Sequence, residues 1–288
     1  MEGNVIARSD LTEFKNYLRD RERSVRTIDK YCRDVAAFMG YAGASQCVTK
    51  EVVIGYKRHL QETYKITSAN SMLAALNCFF HFKGWDDCRV GLFKVQRQLM
   101  GSEDRKLTKE EYKRLIKAAW SSENKRLAMI METIGNTGIR VSELSFITVE
   151  SLYTGRVEIY NKGKCRTIFI IKELRRLLLE YCRERNLSSG PVFVTSGGMQ
   201  MNRSNIWSEM KKLCTKAGIP RQKVFPHNLR HLFAYTYYGI DKDLVHLADI
   251  LGHSNVETTR IYTVSTGEEQ EAVMKKMKMI SISSLHKL

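Results

Sequence analysis

The sequence predicts a mainly α-helical protein with a small β-sheet, built from a helical N-terminal domain and a mixed α+β domain. Apolar residues recur at helical spacing through the first hundred residues, where no alternating pattern competes. A polar stretch at residues 98–105 then breaks the periodicity, and further along two β-rich runs flank a basic segment. We therefore expect a first domain at residues 1–100, a linker at 101–107 and a second domain at 108–288.

The first domain is expected to consist of helices with recognisable starts. Ser24 is suited to cap a helix with one apolar stripe, and Gly40 is expected to end that helix. Thr49 begins a second helix that runs through residue 60. A third helix is expected from about residue 68 to residue 83, with Gly84 as its stop.

The second domain is expected to begin with a helix at residues 109–120. Thr108 and Glu111 form a capping box, in which each side chain satisfies the backbone N–H of the other residue. The two β-rich runs predict a hairpin with a basic tip at residues 161–166. The other elements are expected in this order: a helix at 125–135, a turn at 136–138, a short helix at 140–147, strands at 156–160 and 167–171, a helix at 173–185, a third strand or a turn at 192–194, a helix at 205–217 that stops at Gly218, and helices from Pro226 onward.

Composition and charge narrow the classes of function. With 288 residues, of which 43% are hydrophobic, the chain can bury a core in each domain. The formal net charge of +16 favours a polyanionic partner, most often nucleic acid, and a charged surface that serves only solubility is the alternative.

Cysteine usage argues against a disulfide-stabilised or zinc-binding protein, and hydropathy argues against a secreted or membrane protein. Seven scattered cysteines, none in a Cys-x-x-Cys pair, favour reduced thiols over a disulfide framework or a zinc site. The N-terminus lacks the apolar core of a signal peptide, and no apolar run reaches the roughly 20 residues needed to span a bilayer. We therefore expect a cytoplasmic protein without a membrane partner.

Six side chains become informative when they are taken together. Alone, each has an ordinary interpretation: Arg140 can pair with Glu143 on the same helix face. His227 and His231 have a metal-ligand spacing, but no carboxylate base lies between them. The six candidates are Arg140, Lys162, His227, Arg230, His253 and Tyr262.

These two guanidiniums, one ammonium, two imidazoles and one phenol suit phosphoryl transfer without a metal. Guanidiniums stabilise the charge that develops on non-bridging phosphate oxygens. A tyrosyl oxygen can form a covalent intermediate, and a lysine can protonate the leaving 5′-oxygen. A second capping box, Ser254 with Glu257, predicts a helix that carries Tyr262. The sequence therefore predicts attack by Tyr262 on a DNA phosphate.

Four segments resemble motifs of the tyrosine recombinases, the phage integrase family. NTGIRVSEL at residues 136–144 resembles the first arginine motif, and NKG at 161–163 resembles the β-hairpin lysine. PHNLRH at 226–231 resembles the His-x-x-Arg box, and LGHSNVETTRIY at 251–262 resembles the final histidine and nucleophile box. The motifs follow the family's order. More weakly, SVRTIDKYCRD at 24–34 resembles the family's core-binding domain.

The resemblance implies a SAM-like helical core-binding domain and an α+β catalytic domain that together clamp double-stranded DNA at a core site. It implies that Arg140 and Arg230 hold the scissile phosphate. His227 would give acid–base support, and His253 would bind phosphate. Lys162 would be the general acid, and the nearby Lys164 and Arg166 are the alternatives for that role.

The resemblance also implies an assembly. Tyr262 would form a 3′-phosphotyrosine, which a 5′-hydroxyl from a partner duplex attacks, and a homotetramer would exchange the strands in sequence. Accessory DNA-bending proteins are compatible with this scheme, and no metal, ATP or other cofactor is required. The Lys- and Met-rich segment at residues 268–288 would dock onto a neighbouring protomer. A terminal helix packed on its own domain is the alternative.

Among the family's roles, we expect integration of a mobile element by a nucleoid-associated enzyme. We expect no arm-binding domain before the first helices, so the enzyme would need only core sites, and Val264 stands where many Xer-type members have histidine. The alternatives are an Xer-type resolvase of chromosome or plasmid dimers, a relaxing enzyme like the type IB topoisomerases, and a DNA-binding regulator without catalysis.

Overall fold

The computed structural model describes residues 4–43, 47–94, 105–161, 163–195, 197–263, 271 and 274–277. The chain divides into two compact units, Met1–Arg97 and Gln98–Leu288. Both units are mainly helical, and the described strands form one two-stranded sheet, which confirms the predicted fold class. Of the expected linker, residues 101–104 lie outside the described part, whereas Leu107 is buried in the core of the second unit.

The first unit encloses an aromatic core. Phe14 and Phe79 are fully buried and meet edge to face, with ring centroids 5.2 Å apart. Aromatic pairs of this geometry contribute about 0.5–1.5 kcal/mol beyond the burial of their area. The helices of this unit are α1 (Arg8–Asp20), α2 (Val25–Ala42), α3 (Lys50–Thr63) and α4 (Ile66–Phe82).

The helix starts predicted for α2 and α3 are confirmed, but the end of α2 is not. Ser24 and Thr49 each accept the backbone N–H of the residue three positions on. The predicted stop at Gly40 is wrong, because α2 continues to Ala42 and ends at Gly43, whose φ is +79°. Burial of Ala42 in the core outweighs the modest cost of a glycine inside a helix.

The second unit wraps its helices around a core that includes the hairpin. The capping box of Thr108 and Glu111 is formed at the start of the first helix. The elements are α5 (Lys109–Trp120), α6 (Lys125–Thr137), α7 (Val149–Thr154), β1 (Arg156–Asn161), β2 (Lys164–Phe169), α8 (Lys172–Glu184), α9 (Arg203–Ala217), α10 (Pro226–Asp241) and α11 (Leu244–Leu251). Because α10 packs against α6 and α11, and α11 against β2, these four elements converge on one region.

Two local predictions in this unit differ from the structure. The turn expected at residues 136–138 is wrong, because α6 continues through Thr137, whose hydroxyl donates to the carbonyl of Thr133 at 2.6 Å. Gly138 ends the helix instead, with a φ of +65°. Residues 192–194 form no strand: residues 192 and 193 bend between isolated bridges at Pro191 and Val194, which agrees with the turn alternative.

The predicted hairpin is confirmed, with the first strand one residue longer than expected and the second beginning three residues and ending two residues earlier. Asn161 pairs with Lys164, so two residues connect the paired strands. Gly163 adopts a φ of +75°, which such turns require and which glycine adopts without strain. Lys162 itself lies outside the described residues.

Three observations bear on the class of protein. All seven cysteines are free. In the described part, no helix is long and apolar enough to cross a membrane. Across the same residues, His, Cys, Asp and Glu side chains form no group of three or more that could hold a metal ion.

Candidate active site

Helix α10 places three basic side chains near its N-terminal end. Pro226 occupies the first turn, where its missing N–H would have no intrahelical partner. His227, Arg230 and His231 follow at spacings of three and four residues, so they occupy neighbouring positions on the helix surface. His227 is exposed, and its ring contacts that of His231 with centroids 4.5 Å apart.

Arg230 is the most deeply buried cation of the site, with 1% of its surface exposed. Its Nη1 donates to the carbonyl of Gly138 at 2.7 Å, and its Nη2 donates to the carbonyl of Leu251 at 2.6 Å. The buried Nε has no hydrogen-bond partner among the described residues. Burial and then Arg140 lower the pKa of Arg230 to about 9, so the guanidinium remains charged at neutral pH. A buried cation with an unpaired N–H is suited to bind an anion.

Arg140 reaches the same backbone segment from the other side. It follows α6 and precedes a 3-10 helix at Val141–Phe146. Its Nη2 donates to the carbonyl of Gly252 at 3.1 Å, one residue from the carbonyl that Arg230 contacts. Its Nη1 donates to Glu143 at 3.0 Å, which confirms the predicted ion pair.

Glu143 joins Arg140 to the hairpin. Its side chain is 2% exposed and receives both terminal nitrogens of Arg166, at 3.1 and 2.6 Å. Burial raises the pKa of the Glu143 carboxyl, but hydrogen bonds from Arg166 and from the backbone and side chain of Arg140 outweigh burial and bring the pKa to about 2. Arg166 also donates from Nε to the carbonyl of Ile250 at 3.2 Å. The hairpin is therefore tied to the end of α11.

His253 lies between a hydroxyl and a guanidinium. Its Nε2 is 3.1 Å from Nη2 of Arg230, and its Nδ1 is 2.8 Å from the hydroxyl of Thr259, which is fully buried. Because Arg230 can only donate, we assign Nε2 as an acceptor and place the proton on Nδ1. Burial, then Arg230 and Arg140, lower the pKa of His253 to about 4, so the ring is neutral at neutral pH.

Tyr262 does not lie on an α-helix. The predicted capping box of Ser254 and Glu257 is wrong, because the side chain of Asn255 accepts the N–H of Glu257 instead. Two 3-10 helices follow, Val256–Thr258 and Arg260–Tyr262. This segment is rich in β-branched residues, which have lower helix propensity, and the asparagine cap competes for the first free N–H.

The hydroxyl of Tyr262 meets an imidazole. Tyr262 is 4% exposed, and its hydroxyl lies 2.8 Å from Nδ1 of His231. The ring of Tyr235 packs edge to face against it, with centroids 5.1 Å apart. Burial raises the pKa of Tyr262 to about 12, against the opposing charge of Arg230.

The structure brings together Arg140, Arg230 and His253 around the end of α11, and the pair of His231 and Tyr262 adjoins them. The exposed His227 lies at the edge of this group. The hairpin that carries Lys162 is anchored here by Arg166, although Lys162 lies outside the described residues. Both terminal nitrogens of Arg166 are engaged with Glu143, so this guanidinium is held in place.

Two contacts of the site were not predicted from the sequence. In the sequence, His231 stands out only by its spacing to His227, and nothing joins it to Tyr262. Thr259, which supports His253, carries a weak signal: it lies three residues before Tyr262, so a turn that positions one residue also fixes the other.

Comparisons with known proteins agree with this architecture. Residues 105–269 match the phage integrase family, and residues 11–86 match the phage integrase N-terminal SAM-like domain. Tyrosine recombinase XerA of Thermococcus kodakarensis is 30% identical, an alignment that covers 94% of this chain and 95% of the relative.

Two solved structures are similar to the chain. A crystal structure of XerA recombinase is 26% identical, with a TM-score of 0.53, and the match covers 95% of this chain and 99% of that one. A lambda integrase dimer bound to a COC′ core site shares the fold, with a TM-score of 0.72 at 18% identity and coverage of 91% and 96%. The chain therefore belongs to the phage integrase family and is a tyrosine recombinase, a site-specific enzyme that cleaves and rejoins DNA.

Proposed function

We propose that Tyr262 attacks the scissile phosphate of a DNA core site and forms a 3′-phosphotyrosine. The observation that carries this proposal is the buried guanidinium of Arg230, whose Nε has no partner among the described residues and whose charge acts on the buried phenol of Tyr262. A phosphate oxygen would satisfy that donor with a charge-assisted hydrogen bond. The developing charge would then be stabilised by a group already in place.

The other predicted residues receive complementary roles. Arg140, which is 30% exposed, binds a second phosphate oxygen. His253 is neutral and carries its proton on Nδ1 in the DNA-free protein, so its Nε2 must change partner or tautomer to donate to phosphate. Lys162 protonates the 5′-oxygen, and His227, exposed at the edge of the site, supports proton transfer.

We propose that the partner is double-stranded DNA and that four protomers exchange strands. The net charge of +16 supports a polyanionic partner, and the similar lambda integrase structure is described as bound to a core site. The tail supports assembly: Met274 and Met277 are 67% and 59% exposed, in a helical turn at residues 274–277. Methionine side chains adapt to apolar grooves, and a neighbouring protomer would supply one. The other predicted anchor, Ile280, lies outside the described residues.

Integration of a mobile element is the role we propose, with action on the nucleoid in the cytoplasm. Val264, in place of the histidine of many Xer-type members, supports this role. Resolution of chromosome or plasmid dimers is the second candidate, because the curated relative XerA matches nearly the whole chain. An attachment repeat beside the gene would favour integration, whereas recombination only between sites on replicon dimers would favour resolution.

Covalent capture tests the chemistry. Randomised duplexes with a nick beside each candidate position trap the adduct, because the short 5′-product diffuses away, and sequencing of the trapped DNA identifies the core site. Wild-type protein should form adducts, and Tyr262→Phe should bind DNA without forming them. Tyr153→Phe, which changes an exposed tyrosine, is the matched control. Adducts that persist in Tyr262→Phe would exclude this nucleophile, and relaxation of plasmids without a core site would favour a topoisomerase-like enzyme.

A further inference from the structure

The hydroxyl of Tyr262 is held in a single hydrogen bond within the described residues. Its partner is Nδ1 of His231, at 2.8 Å. The phenol ring is fixed by Tyr235, which packs against it and whose own hydroxyl donates to the carbonyl of Ile261 at 3.2 Å. Because Tyr262 is only 4% exposed, bulk water has little access to this contact. The reacting oxygen therefore has one neighbouring group that can take its proton.

We propose that His231 is a catalytic residue whose Nδ1 accepts the phenolic proton when Tyr262 attacks phosphate and returns it when the strand is rejoined. This inference rests on the proposed function and deepens it by naming the proton acceptor. His231 is not among the six side chains whose pattern resembles the family. The observation that assigns it this role is the contact with the reacting oxygen.

The surroundings keep both partners in the forms that the role requires. Burial, then His227 and Arg230, lower the pKa of His231 to about 4, so the ring is neutral at neutral pH and carries one proton. Burial keeps the phenol of Tyr262 protonated, so we assign the ring proton to Nε2, and the phenol then donates to Nδ1. The charged and titratable groups that face this pair are His227, Arg230 and Tyr235 of α10, Arg140 after α6, and His253 after α11.

The proton moves only when phosphate is present. In the DNA-free protein the phenol is a far weaker acid than the imidazolium, so the transfer is unfavourable. As the bond between phosphorus and the phenolic oxygen forms, that oxygen loses electron density and its proton becomes acidic. This coupling keeps an uncharged nucleophile beside the two arginines until a substrate arrives.

The step balances. The bond between the Tyr262 oxygen and phosphorus forms while the bond between phosphorus and the 5′-oxygen breaks. The phenolic proton passes to Nδ1 of His231, and the 5′-oxygen takes a proton from the ammonium of Lys162. Ligation reverses both transfers, so the acid and the acceptor are regenerated in each cycle.

His227 is the competing acceptor on the same helix. It is exposed, and its ring contacts the ring of His231. Substitution can therefore separate the two histidines. Asparagine at position 231 places an amide oxygen close to the position of Nδ1, so it can keep the hydrogen bond but cannot take up the proton.

The experiment measures single-turnover cleavage on the captured core site, made once with the normal linkage and once with a 5′-bridging phosphorothiolate. A thiolate leaves without an acid, so the sulfur substrate isolates the activation of Tyr262 from the role of Lys162. The proteins compared are wild type, His231→Asn, His231→Gln and, as the matched control, His246→Asn, which changes an exposed histidine of the same unit. Gel-shift titration with the core duplex checks DNA binding for each variant.

We expect His231→Asn to lose roughly 100-fold or more in rate on both substrates while binding the duplex normally. Wild type should be flat between about pH 6 and 8 on the sulfur substrate, because the acceptor is already neutral there. The rate of His231→Asn should rise about tenfold per pH unit, because the phenol must then lose its proton to solvent. His246→Asn should match wild type.

Cleavage by His231→Asn or His231→Gln within about threefold of wild type would overturn the proposal. A slow but pH-independent variant would also overturn it, because such behaviour indicates a structural role. Failure of the proposed function has a different signature: wild type would form no adduct at all, or Tyr262→Phe would still form one. The two conclusions are therefore tested separately.

Discussion

Both terminal nitrogens of Arg166 donate hydrogen bonds to the carboxylate of Glu143, at 3.1 and 2.6 Å. The same carboxylate receives Nη1 of Arg140, so one buried anion orients two cations from different elements. A bidentate pair fixes the plane of the guanidinium as well as its position. Glu143 therefore links the hairpin to Arg140 and, through it, to the end of α11.

Replacing Glu143 with glutamine is expected to lower both stability and cleavage. Loss of the buried anion leaves two guanidiniums without a counter-charge, which costs about 3–5 kcal/mol when one partner of a buried pair is removed. Urea unfolding would measure the loss of stability, and covalent capture the loss of cleavage. Glu184→Gln is the control, because its pair with Lys125 is exposed and should contribute under about 1 kcal/mol. Equal stability of the two variants would contradict this account.

His253 is expected to make stability depend on acidity. Its pKa is lowered to about 4 in the folded protein, from an ordinary value of 6.5. As the pH falls, His253 is protonated in the unfolded chain before it is protonated in the folded protein. The contribution of His253 to folding stability is therefore fully present above about pH 6.5 and falls as the pH drops towards about 4. His253→Asn should be less stable than wild type at neutral pH but should lose less stability on acidification. Urea unfolding at several pH values would measure this, and an unchanged pH slope would count against it.

The general acid can be identified with the sulfur-containing substrate. Lys162→Ala should cleave the normal linkage at least about 100-fold more slowly than wild type and should recover on the 5′-bridging phosphorothiolate, which needs no acid. Lys164→Ala is the matched control from the same hairpin and should cleave both substrates normally. If Lys164→Ala were slow on the normal linkage and recovered on the sulfur substrate, while Lys162→Ala cleaved both at the wild-type rate, Lys164 would be the general acid instead.

Gly252 is expected to tolerate no side chain. Its φ is +63°, and an added Cβ would lie 2.7 Å from Nη1 of Arg166. Gly218 has the same φ of +63° and nothing within 4 Å, so Gly218→Ala carries the backbone strain without the clash. Both variants should lose about 1 kcal/mol from strain. Only Gly252→Ala should also displace Arg166 and lose DNA cleavage. Cleavage at the wild-type rate in that variant would show that Arg166 can move without loss of activity.

The tail is expected to act between protomers. Replacing both Met274 and Met277 with glutamate should prevent tetramer assembly on DNA, because charged groups would have to enter an apolar contact. Binding of one protomer to a single core site should be retained. Lys276→Glu, an exposed neighbour, controls for the added charge. Native gel shifts separate the complexes, and normal tetramers in the double variant would place the tail elsewhere.

Local signals predicted the fold more reliably than the site. The capping box at Thr108 and the hairpin depend on residues within a few positions of one another, so the sequence alone shows them. The failed box at Ser254 shows how a single neighbour, Asn255, can compete for the same N–H. Gly40 failed for another reason, because burial of side chains beyond it extended the helix.

The contacts of the site depend on long-range packing. Arg230 is held by the carbonyls of Gly138 and Leu251, and main-chain oxygens carry no mark in the sequence. His231 meets Tyr262 only because the segment after α11 folds back on α10. The types of side chain were therefore predictable from the chemistry that they share, whereas their hydrogen-bond partners were not.

The burial of Arg230 has a consequence for the enzyme without substrate. Within the described part of the chain, this guanidinium forms no ion pair and is held by two backbone carbonyls and by Nε2 of His253. A phosphate oxygen of DNA would solvate the guanidinium of Arg230, which the protein solvates only in part. Burying Arg230 during folding costs desolvation free energy, and contact with a DNA phosphate would recover part of that cost as binding free energy. The substrate would thus supply the hydrogen-bond acceptor that the buried Nε of Arg230 lacks in the DNA-free protein.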